Sequence, residues 1–235
     1  MEKKVRVRFA PSPTGFVHMG SLRTTLYDYL FARKNGGTFI LRVEDTDQKR
    51  FVPGAVENLI RTLEWAGLKH DEGVFLEDGK IVQKGEYGPY FQSERLDIYK
   101  KHAEKLLETG VGYRCFCTPE RLEKMREEQS SAKQAPMYDR ACLKLSDAEV
   151  AEKMKSGESY VIRQKINTEG HTEFEDLIRG KVRFENSLLD DQIIMKSDGF
   201  PTYNFANVID DHLMEITHAI RGEEFVSSTP IRIFR

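Results

Sequence analysis

The chain opens with a hydrophobic pattern of period two that then changes to a helical period. Apolar residues alternate with arginines over residues 5–9, which is typical of a β-strand, and the alternation stops at Pro11. Beyond the turn P-S-P-T-G, a predicted helix carries apolar residues at helical spacing at Leu22, Leu26, Tyr29 and Leu30. Gly36-Gly37 ends this helix, and the nearly continuous apolar run 38–44 predicts a strand buried on both faces. This succession predicts a βαβ unit whose two strands are parallel and joined by a right-handed crossover.

Later segments continue an α/β pattern. Amphipathic helices are predicted to begin near residues 54, 93, 118 and 146, the last with an S-D-A-E capping box. Strands are predicted at residues 159–166, 180–186, 192–196 and 215–222, and a helix at residues 202–209. Changes in this pattern of helices and strands predict three segments. Residues 1–112 form the first half of an α/β domain, residues 113–188 an inserted α/β subdomain, and residues 189–235 the second half of the domain.

Composition narrows the class of protein. With 235 residues, 39% of them hydrophobic, the chain is long enough for a folded core, which argues against disorder. It begins without the apolar segment of a signal peptide, and no run reaches the roughly 18 apolar residues of a membrane span, so we expect a cytoplasmic protein without a membrane partner. A net charge of −2 requires a nucleic-acid partner to be bound by a local patch or by a part of the protein outside this sequence. Three cysteines are too few for a disulfide framework, so they either bind a metal or have no special role.

Three of the predicted core strands end in a charged residue. Arg8 closes the string V-R-V-R of the first strand, Glu44 closes the second strand, and Arg221 closes the string E-I-T-H-A-I-R of the last. Because ligands of open parallel sheets bind beyond the carboxyl ends of the strands, we expect these side chains to converge on one crevice. Two guanidinium groups and a carboxylate complement the two carboxylates and one ammonium group of glutamate. The alternative is that each charge lies at a solvated strand end.

The turn at residues 11–20 lies between the first strand and the first helix. Backbone N–H groups and the helix dipole favour phosphate at such a position. Gly15 and Gly20 permit close approach of the backbone, and His18 supplies a donor for a phosphoryl oxygen. A purely structural histidine at the start of the helix is the alternative.

Four strings are specific in combination and are spread over the whole chain. They are R-F-A-P-S-P-T-G-x-x-H-x-G, R-V-E-D-T-D, P-T-Y-N-F-A-N-V-I-D-D-H and I-R-G-E-E-F-x-S-S-T-P. Together they closely resemble the glutamyl-tRNA synthetases, a family of class I aminoacyl-tRNA synthetases. The resemblance implies an α/β fold with a Rossmann-like parallel sheet, and an inserted subdomain at residues 113–188 that binds the acceptor end of tRNA. It also implies activation of L-glutamate with ATP and Mg2+ to glutamyl-adenylate, then transfer to the 3′ end of tRNA(Glu).

Site residues follow from the resemblance, position by position. It assigns catalytic roles to His18 and Gly20. It assigns nucleotide contacts to Pro11, Thr14, Gly15, His18, Gly20 and Glu224. It assigns the glutamate pocket to Arg8, Ala10, Ser12, Glu44, Tyr203, Asn207 and Arg221, with Glu44 receiving the substrate ammonium group. Tyr203 and Asn207 are four residues apart on a predicted helix, so they share a face.

Two groups of metal-ligand type remain. The string Asp210-Asp211-His212 has no ligand role in the resemblance, and we expect solvated acidic residues at a helix end. Cys115, Cys117, Tyr138 and Cys142 resemble a Zn2+ site of some family members and of the related glutamyl-queuosine tRNA synthetases. A reduced, metal-free knuckle is the alternative.

The sequence lacks a K-M-S-K-like string and the helical part that binds the anticodon, so the resemblance predicts an N-terminal catalytic fragment that activates glutamate poorly on its own. Two other functions stay open, a glutamyl-queuosine tRNA(Asp) synthetase and a non-catalytic nucleotide- or tRNA-binding module. A small-molecule adenylyltransferase that shares only the histidine turn would not explain the downstream strings.

Overall fold

A computed structural model of the chain describes residues 4–232, which form two compact units. The first unit comprises Met1–Asp97 with Ala206–Val226, and the second comprises Ile98–Phe205 with Ser227–Arg235. The boundaries near residues 97 and 205 differ from the pattern changes at residues 112 and 188. The functional division into residues 1–112, 113–188 and 189–235 therefore stays a prediction.

The first unit is built on a four-stranded sheet in the order β1-β2-β3-β4. Its strands are β1 (Arg6–Phe9), β2 (Thr38–Leu41), β3 (Glu72–Glu77) and β4 (Lys80–Lys84). β1, β2 and β3 are parallel, and β4 pairs antiparallel with β3. The predicted βαβ unit is confirmed, because α1 (Met19–Lys34) connects β1 to the parallel β2. The β3–β4 hairpin was not predicted.

Two helices show how well the apolar pattern predicts a buried face. In α2 (Ala55–Trp65) the apolar residues at helical spacing, Val56, Leu59, Ile60 and Leu63, are all buried. In α1 the apolar residues at helical spacing do not all lie on the buried face, because Leu26 and Leu30 are 41% and 52% exposed while Thr25 and Ala32 are buried. Small residues let the helix lie close to the sheet, and the apolar stripe is wide enough that its pattern does not say which edge is buried.

The second unit has its own sheets and helices. Its elements, in chain order, are α3 (Leu96–Glu108, which starts at the unit boundary), β5 (Gly112–Cys115), α4 (Pro119–Ser131), α5 (Asp147–Lys155), β6 (Val161–Gln164), β7 (His171–Asp176), β8 (Gly180–Glu185), β9 (Ile193–Met195) and the first turn of α6 (Tyr203–Leu213). β5, β6 and β9 form one antiparallel sheet, and β7 and β8 form a hairpin. The capping box at Ser146 and Glu149 is present, as predicted.

Both units also contain short 3-10 helices. They lie at Gln48–Arg50, Gln92–Arg95, Ala141–Lys144, Asn186–Leu188, Glu223–Ser228 and Pro230–Arg232.

The predicted strand at residues 215–222 is wrong. This segment lies beside β1, but its hydrogen bonds to β1 are confined to the backbone of Arg6, with Thr217 N donating to Arg6 O at 2.9 Å. One point of contact is too short for a ladder, so the chain is extended here without being a strand. In the described part of the chain, no helix is both long and apolar enough to cross a membrane.

Candidate active site

Three arginines from distant parts of the chain meet at the carboxylate of Asp211 on α6. Arg8 on β1 donates from Nε to Oδ1 at 2.9 Å and from Nη2 to Oδ2 at 3.0 Å. Arg42, directly after β2, donates from Nη2 to Oδ1 at 2.8 Å. Arg221 Nη2 lies 3.8 Å from Oδ2. The structure thus brings together Arg8 and Arg221, which the strand ends predicted to converge.

Glu44 joins the same group through Arg42. Arg42 Nη2 donates to Glu44 Oε1 at 2.9 Å, and both side chains are almost completely buried. We call Arg8, Arg42, Glu44, Asp211 and Arg221 the arginine–carboxylate cluster. All five belong to the first unit.

Sequence reasoning missed two members of the cluster. Arg42 carried a signal, because a charge inside an apolar run predicted to be buried on both faces requires a buried partner. Asp211 lies four residues after Asn207 and therefore on the same helix face. The expectation of solvated acidic residues was wrong, since Asp210 is fully buried between Arg95 Nε at 2.7 Å and Gln92 Nε2 at 2.8 Å. A helix end is solvated only where nothing packs over it.

Burial and the neighbouring charges shift the pKa values of the cluster in opposite directions. Burial would raise the pKa of Asp211, but the guanidinium groups of Arg8 and Arg42 outweigh it and hold the pKa below its ordinary value. Burial would lower the pKa of Arg42, but Asp211 and Glu44 raise it well above its ordinary value. For Glu44 burial is the stronger effect, and Arg42 only partly offsets the raised pKa.

Glu44 Oε2, an acceptor, and Asn207 Nδ2, a donor, are among the buried polar atoms in and beside the cluster that have no hydrogen-bond partner in the described residues. Asn207 Oδ1 accepts from Arg221 Nη2 at 2.5 Å, which ties Asn207 to the cluster. Since an unpartnered buried polar atom is costly, an acceptor and a donor left open here fit a ligand with an ammonium group and a carboxylate.

The predicted phosphate turn leaves β1 and is bonded to the segment after β2. Pro11 O accepts from Glu44 N at 2.9 Å. His18 caps α1, and its Nδ1 accepts from Gly20 N at 3.1 Å and from Ser21 N at 3.4 Å. The first N–H groups of the helix therefore face the histidine ring, and a phosphate that uses them must displace it. A Cβ at Gly20 would lie 3.0 Å from this ring, whereas the space around Gly15 is open.

The other predicted site residues are placed as follows. Ala10, Pro11 and Thr14 are half-buried along the turn, and Ser12 is exposed. Glu224 is exposed in the 3-10 helix Glu223–Ser228. Tyr203 is the first residue of α6 and belongs to the second unit. Their roles stay predictions.

Asp28 on α1 is a buried carboxyl group, 1% exposed, and its Oδ1 has no hydrogen-bond partner among the described residues. Burial raises its pKa from 3.8 to about 8, against the opposing effect of Arg8. The folded protein therefore keeps a proton that the unfolded chain releases near pH 4, and the free energy of unfolding falls as the pH rises from about 4 to about 8.

Asp28→Asn is accordingly expected to raise the free energy of unfolding by roughly 1–3 kcal/mol at pH 8 and by less at pH 5, because asparagine buries no charge. Urea titrations at both pH values measure this difference. Glu104→Gln, which changes an exposed carboxylate on α3, is the control. An equal effect of Asp28→Asn at pH 5 and pH 8 would contradict the assignment.

The second unit contains a cluster of sulfur atoms. The Sγ atoms of Cys115, Cys117 and Cys142 lie within 4.8 Å of one another, and Tyr138 Oη lies 3.3 Å from both Cys115 Sγ and Cys117 Sγ. Burial raises the pKa of the Cys117 thiol to about 11. Burial acts in the same direction on Cys115, but the Tyr138 hydroxyl and Arg163 hold its pKa below the ordinary value. Tetrahedral Zn2+ at about 2.3 Å from each sulfur needs sulfur separations of about 3.8 Å, so these residues fit the metal.

The known proteins that this chain resembles belong to one family. Residues 4–234 match the family model for the catalytic domain of class I tRNA synthetases (E and Q). Glutamate–tRNA ligases of Alkaliphilus metalliredigens and Clostridioides difficile are 59% and 60% identical to the chain, over 99% and 98% of its length and 47% of theirs. A crystal structure of a glutamate tRNA ligase from Elizabethkingia meningosepticum in complex with its amino acid is 45% identical, has a TM-score of 0.90, and covers 98% of this chain and 46% of that one.

The chain therefore spans about half the length of the relatives that it matches. Its parallel βαβ sheet is the Rossmann-like α/β fold of their catalytic domain. The chain belongs to the family of class I tRNA synthetases for glutamate and glutamine.

Proposed function

We propose that this chain is the catalytic part of a glutamate–tRNA ligase, which activates L-glutamate with ATP to glutamyl-adenylate and then transfers the glutamyl group to the 3′ end of tRNA(Glu), with AMP as the leaving group. The observation that carries the proposal is the meeting of Arg8, Glu44 and Arg221 in one buried cluster. The relatives at 59% and 60% identity are named glutamate–tRNA ligases, which favours this reaction over the glutamyl-queuosine alternative.

The cluster offers a partner for each charge of glutamate. Glu44 Oε2, which is buried without a hydrogen-bond partner in the described residues, is the proposed acceptor for the substrate ammonium group. Arg8 and Arg221 supply guanidinium groups for the carboxylates, and Asn207 Nδ2 adds a donor. The cluster holds three guanidinium groups but only two carboxylates, so a neutral side-chain amide, as in glutamine, would leave one positive charge uncompensated, which is the basis for selectivity.

The turn of residues 11–20 is the proposed site of the ATP phosphates. Pro11, Thr14, Gly15, Gly20 and Glu224 are the proposed nucleotide contacts, and His18 is the proposed donor to the reacting phosphate once its ring leaves the helix N-terminus. The substrate α-carboxylate attacks the α-phosphorus in line, a P–O bond forms, and pyrophosphate leaves with the electrons of the broken P–O bond. Mg2+ neutralises phosphate charge when bound. The protein contributes positions and charge stabilisation, with no general base.

Calorimetry tests the amino-acid part of this proposal. L-Glutamate is titrated into the chain with and without a non-hydrolysable ATP analogue, and L-glutamine and L-aspartate are titrated in parallel. We expect one glutamate site and binding at least tenfold weaker for the other two amino acids. Equal binding of glutamine would overturn the proposed selectivity. Charging of tRNA(Glu) against tRNA(Asp) then separates the ligase from the glutamyl-queuosine enzyme.

We also propose that Cys115, Cys117, Tyr138 and Cys142 bind one structural Zn2+, which would cross-link the second unit and stabilise its fold. Protein purified with zinc present is expected to contain about one zinc per chain by mass spectrometry of the metal, and Cys142→Ser is expected to lose it. EDTA should lower the melting temperature of the wild type but not of Cys142→Ser. Tyr138→Phe separates a site of three sulfurs from one that needs the phenol. A melting temperature of the wild type that is the same with zinc and with EDTA would support the metal-free knuckle instead.

We propose further that the protein acts in the cytoplasm. Cys115, Cys117 and Cys142 form no disulfide, and thiols of this kind suit a reducing compartment.

A further inference from the structure

Arg8 is oriented by a single carboxylate. Its side chain is 3% exposed, so bulk water contributes little to holding it. Nε and Nη2, one edge of the guanidinium plane, donate to the two oxygens of Asp211 at 2.9 Å and 3.0 Å. Such a two-bond contact fixes the plane of the group as well as its position. No hydrogen bond of Nη1 is found within residues 4–232, and Nη1 is therefore available to a ligand carboxylate.

Asp211 is itself held rigidly. It lies on α6, and its Oδ1 also accepts from Arg42 Nη2 at 2.8 Å. Arg42 in turn donates from the same nitrogen to Glu44 at 2.9 Å, so the groups proposed for the carboxylate and for the ammonium of the substrate are joined through Asp211 and Arg42. We propose that Asp211 is a positioning residue that fixes Arg8 for the substrate carboxylate at a set distance from Glu44. This inference rests on the proposed function, in which Arg8 and Glu44 bind glutamate.

A second role for Asp211 is physically possible and makes the opposite prediction. A carboxylate surrounded by Arg8, Arg42 and Arg221 resembles a bound substrate carboxylate, and it would compete with glutamate if it had to move away. Two features favour positioning. Asp211 engages Arg8 through only one edge, and the arginines hold its pKa below the ordinary value, so the carboxylate stays charged and bonded.

Asp211→Asn tests the inference, because it keeps the shape of the side chain and removes its charge. We expect the dissociation constant for L-glutamate, measured by calorimetry on the chain, to rise roughly 10- to 100-fold, while that for an ATP analogue changes less than threefold. The preference for glutamate over glutamine should shrink as well, because a mobile guanidinium discriminates less. A merely structural role would lower the melting temperature and leave this preference unchanged.

Glu72→Gln is the matched control. Glu72 also accepts two bonds from one arginine, here from Nη1 and Nη2 of Arg6 at 2.8 Å and 3.0 Å, and Arg6 lies on the same strand two residues before Arg8. We expect this variant to bind glutamate within twofold of the wild type. Glutamate binding by Asp211→Asn as tight as in the wild type, or tighter, would overturn the inference and support competition.

Asp211→Glu covers the case in which the asparagine variant does not fold. It keeps the charge and shifts the carboxylate by about one C–C bond, so we expect a folded protein whose glutamate dissociation constant rises at least fivefold. Binding within twofold of the wild type would contradict positioning. A wild type that binds no glutamate at all would instead refute the proposed function, and the two failures are therefore distinguishable.

Discussion

Replacing Arg42 by methionine is expected to lower the free energy of unfolding by roughly 3–5 kcal/mol, the cost of leaving buried charges without their partner. Arg42 is fully buried and serves Glu44, Asp211 and Asp210, from which its nitrogens lie 2.9, 2.8 and 3.8 Å away. Methionine fills much of the volume of the side chain but leaves these three carboxylates with less positive charge. Urea titration at pH 7, followed by circular dichroism, measures the loss.

Arg33→Met is the control for this experiment. Arg33 pairs with Asp71 at 2.8 Å, but the two side chains are 34% and 39% exposed, and such surface pairs contribute about 1 kcal/mol or less. A loss below about 1 kcal/mol for Arg42→Met would mean that the buried network contributes little to the stability of the fold.

Arg8→Gln is expected to weaken glutamate binding by roughly 10²–10³-fold, which corresponds to losing one partner of a buried charge pair. Glutamine keeps hydrogen-bonding capacity near Asp211 but removes the positive charge opposite the substrate carboxylate. Calorimetry with L-glutamate measures the change, and binding of an ATP analogue should be nearly unaffected.

Arg6→Gln provides the comparison for Arg8→Gln, because Arg6 is a second nearly buried arginine on β1 and makes two hydrogen bonds to the carboxylate of Glu72. We expect it to reduce stability without a comparable effect on glutamate binding. If both variants weaken glutamate binding to the same degree, the effect comes from β1 as a whole, and the specific role of Arg8 is lost.

Local signals predicted the parts of the fold that depend on a few neighbouring residues. The βαβ unit, the buried face of α2 and the capping box at Ser146 follow from periodicity and hydrogen-bonding chemistry within short windows. The segment at residues 215–222 has the composition of a strand, yet its hydrogen bonds to β1 are confined to the backbone of Arg6. Pairing depends on what lies alongside a segment, and the segment itself does not contain that information.

The site shows the same division between local and distant causes. Charged residues after apolar runs pointed to Arg8, Glu44 and Arg221, because strand ends converge in a parallel sheet. The carboxylate at which the arginines meet, Asp211, comes from α6 and follows 203 residues after Arg8. No spacing rule links two such positions. The self-capping of His18, which occupies the N–H groups expected to face phosphate, is likewise a choice of side-chain rotamer that the pattern does not predict.

A diffraction structure of the chain with bound L-glutamate is the most direct test of whether Arg8 and Glu44 bind the substrate. We expect the substrate ammonium group within hydrogen-bond distance of Glu44 Oε2 and a substrate carboxylate in contact with Arg8, with Asp211 still bonded to Nε and Nη2 of that arginine. Glutamate bound away from Arg8 and Glu44, or seated with the positions of its ammonium and side-chain carboxylate exchanged, would contradict it.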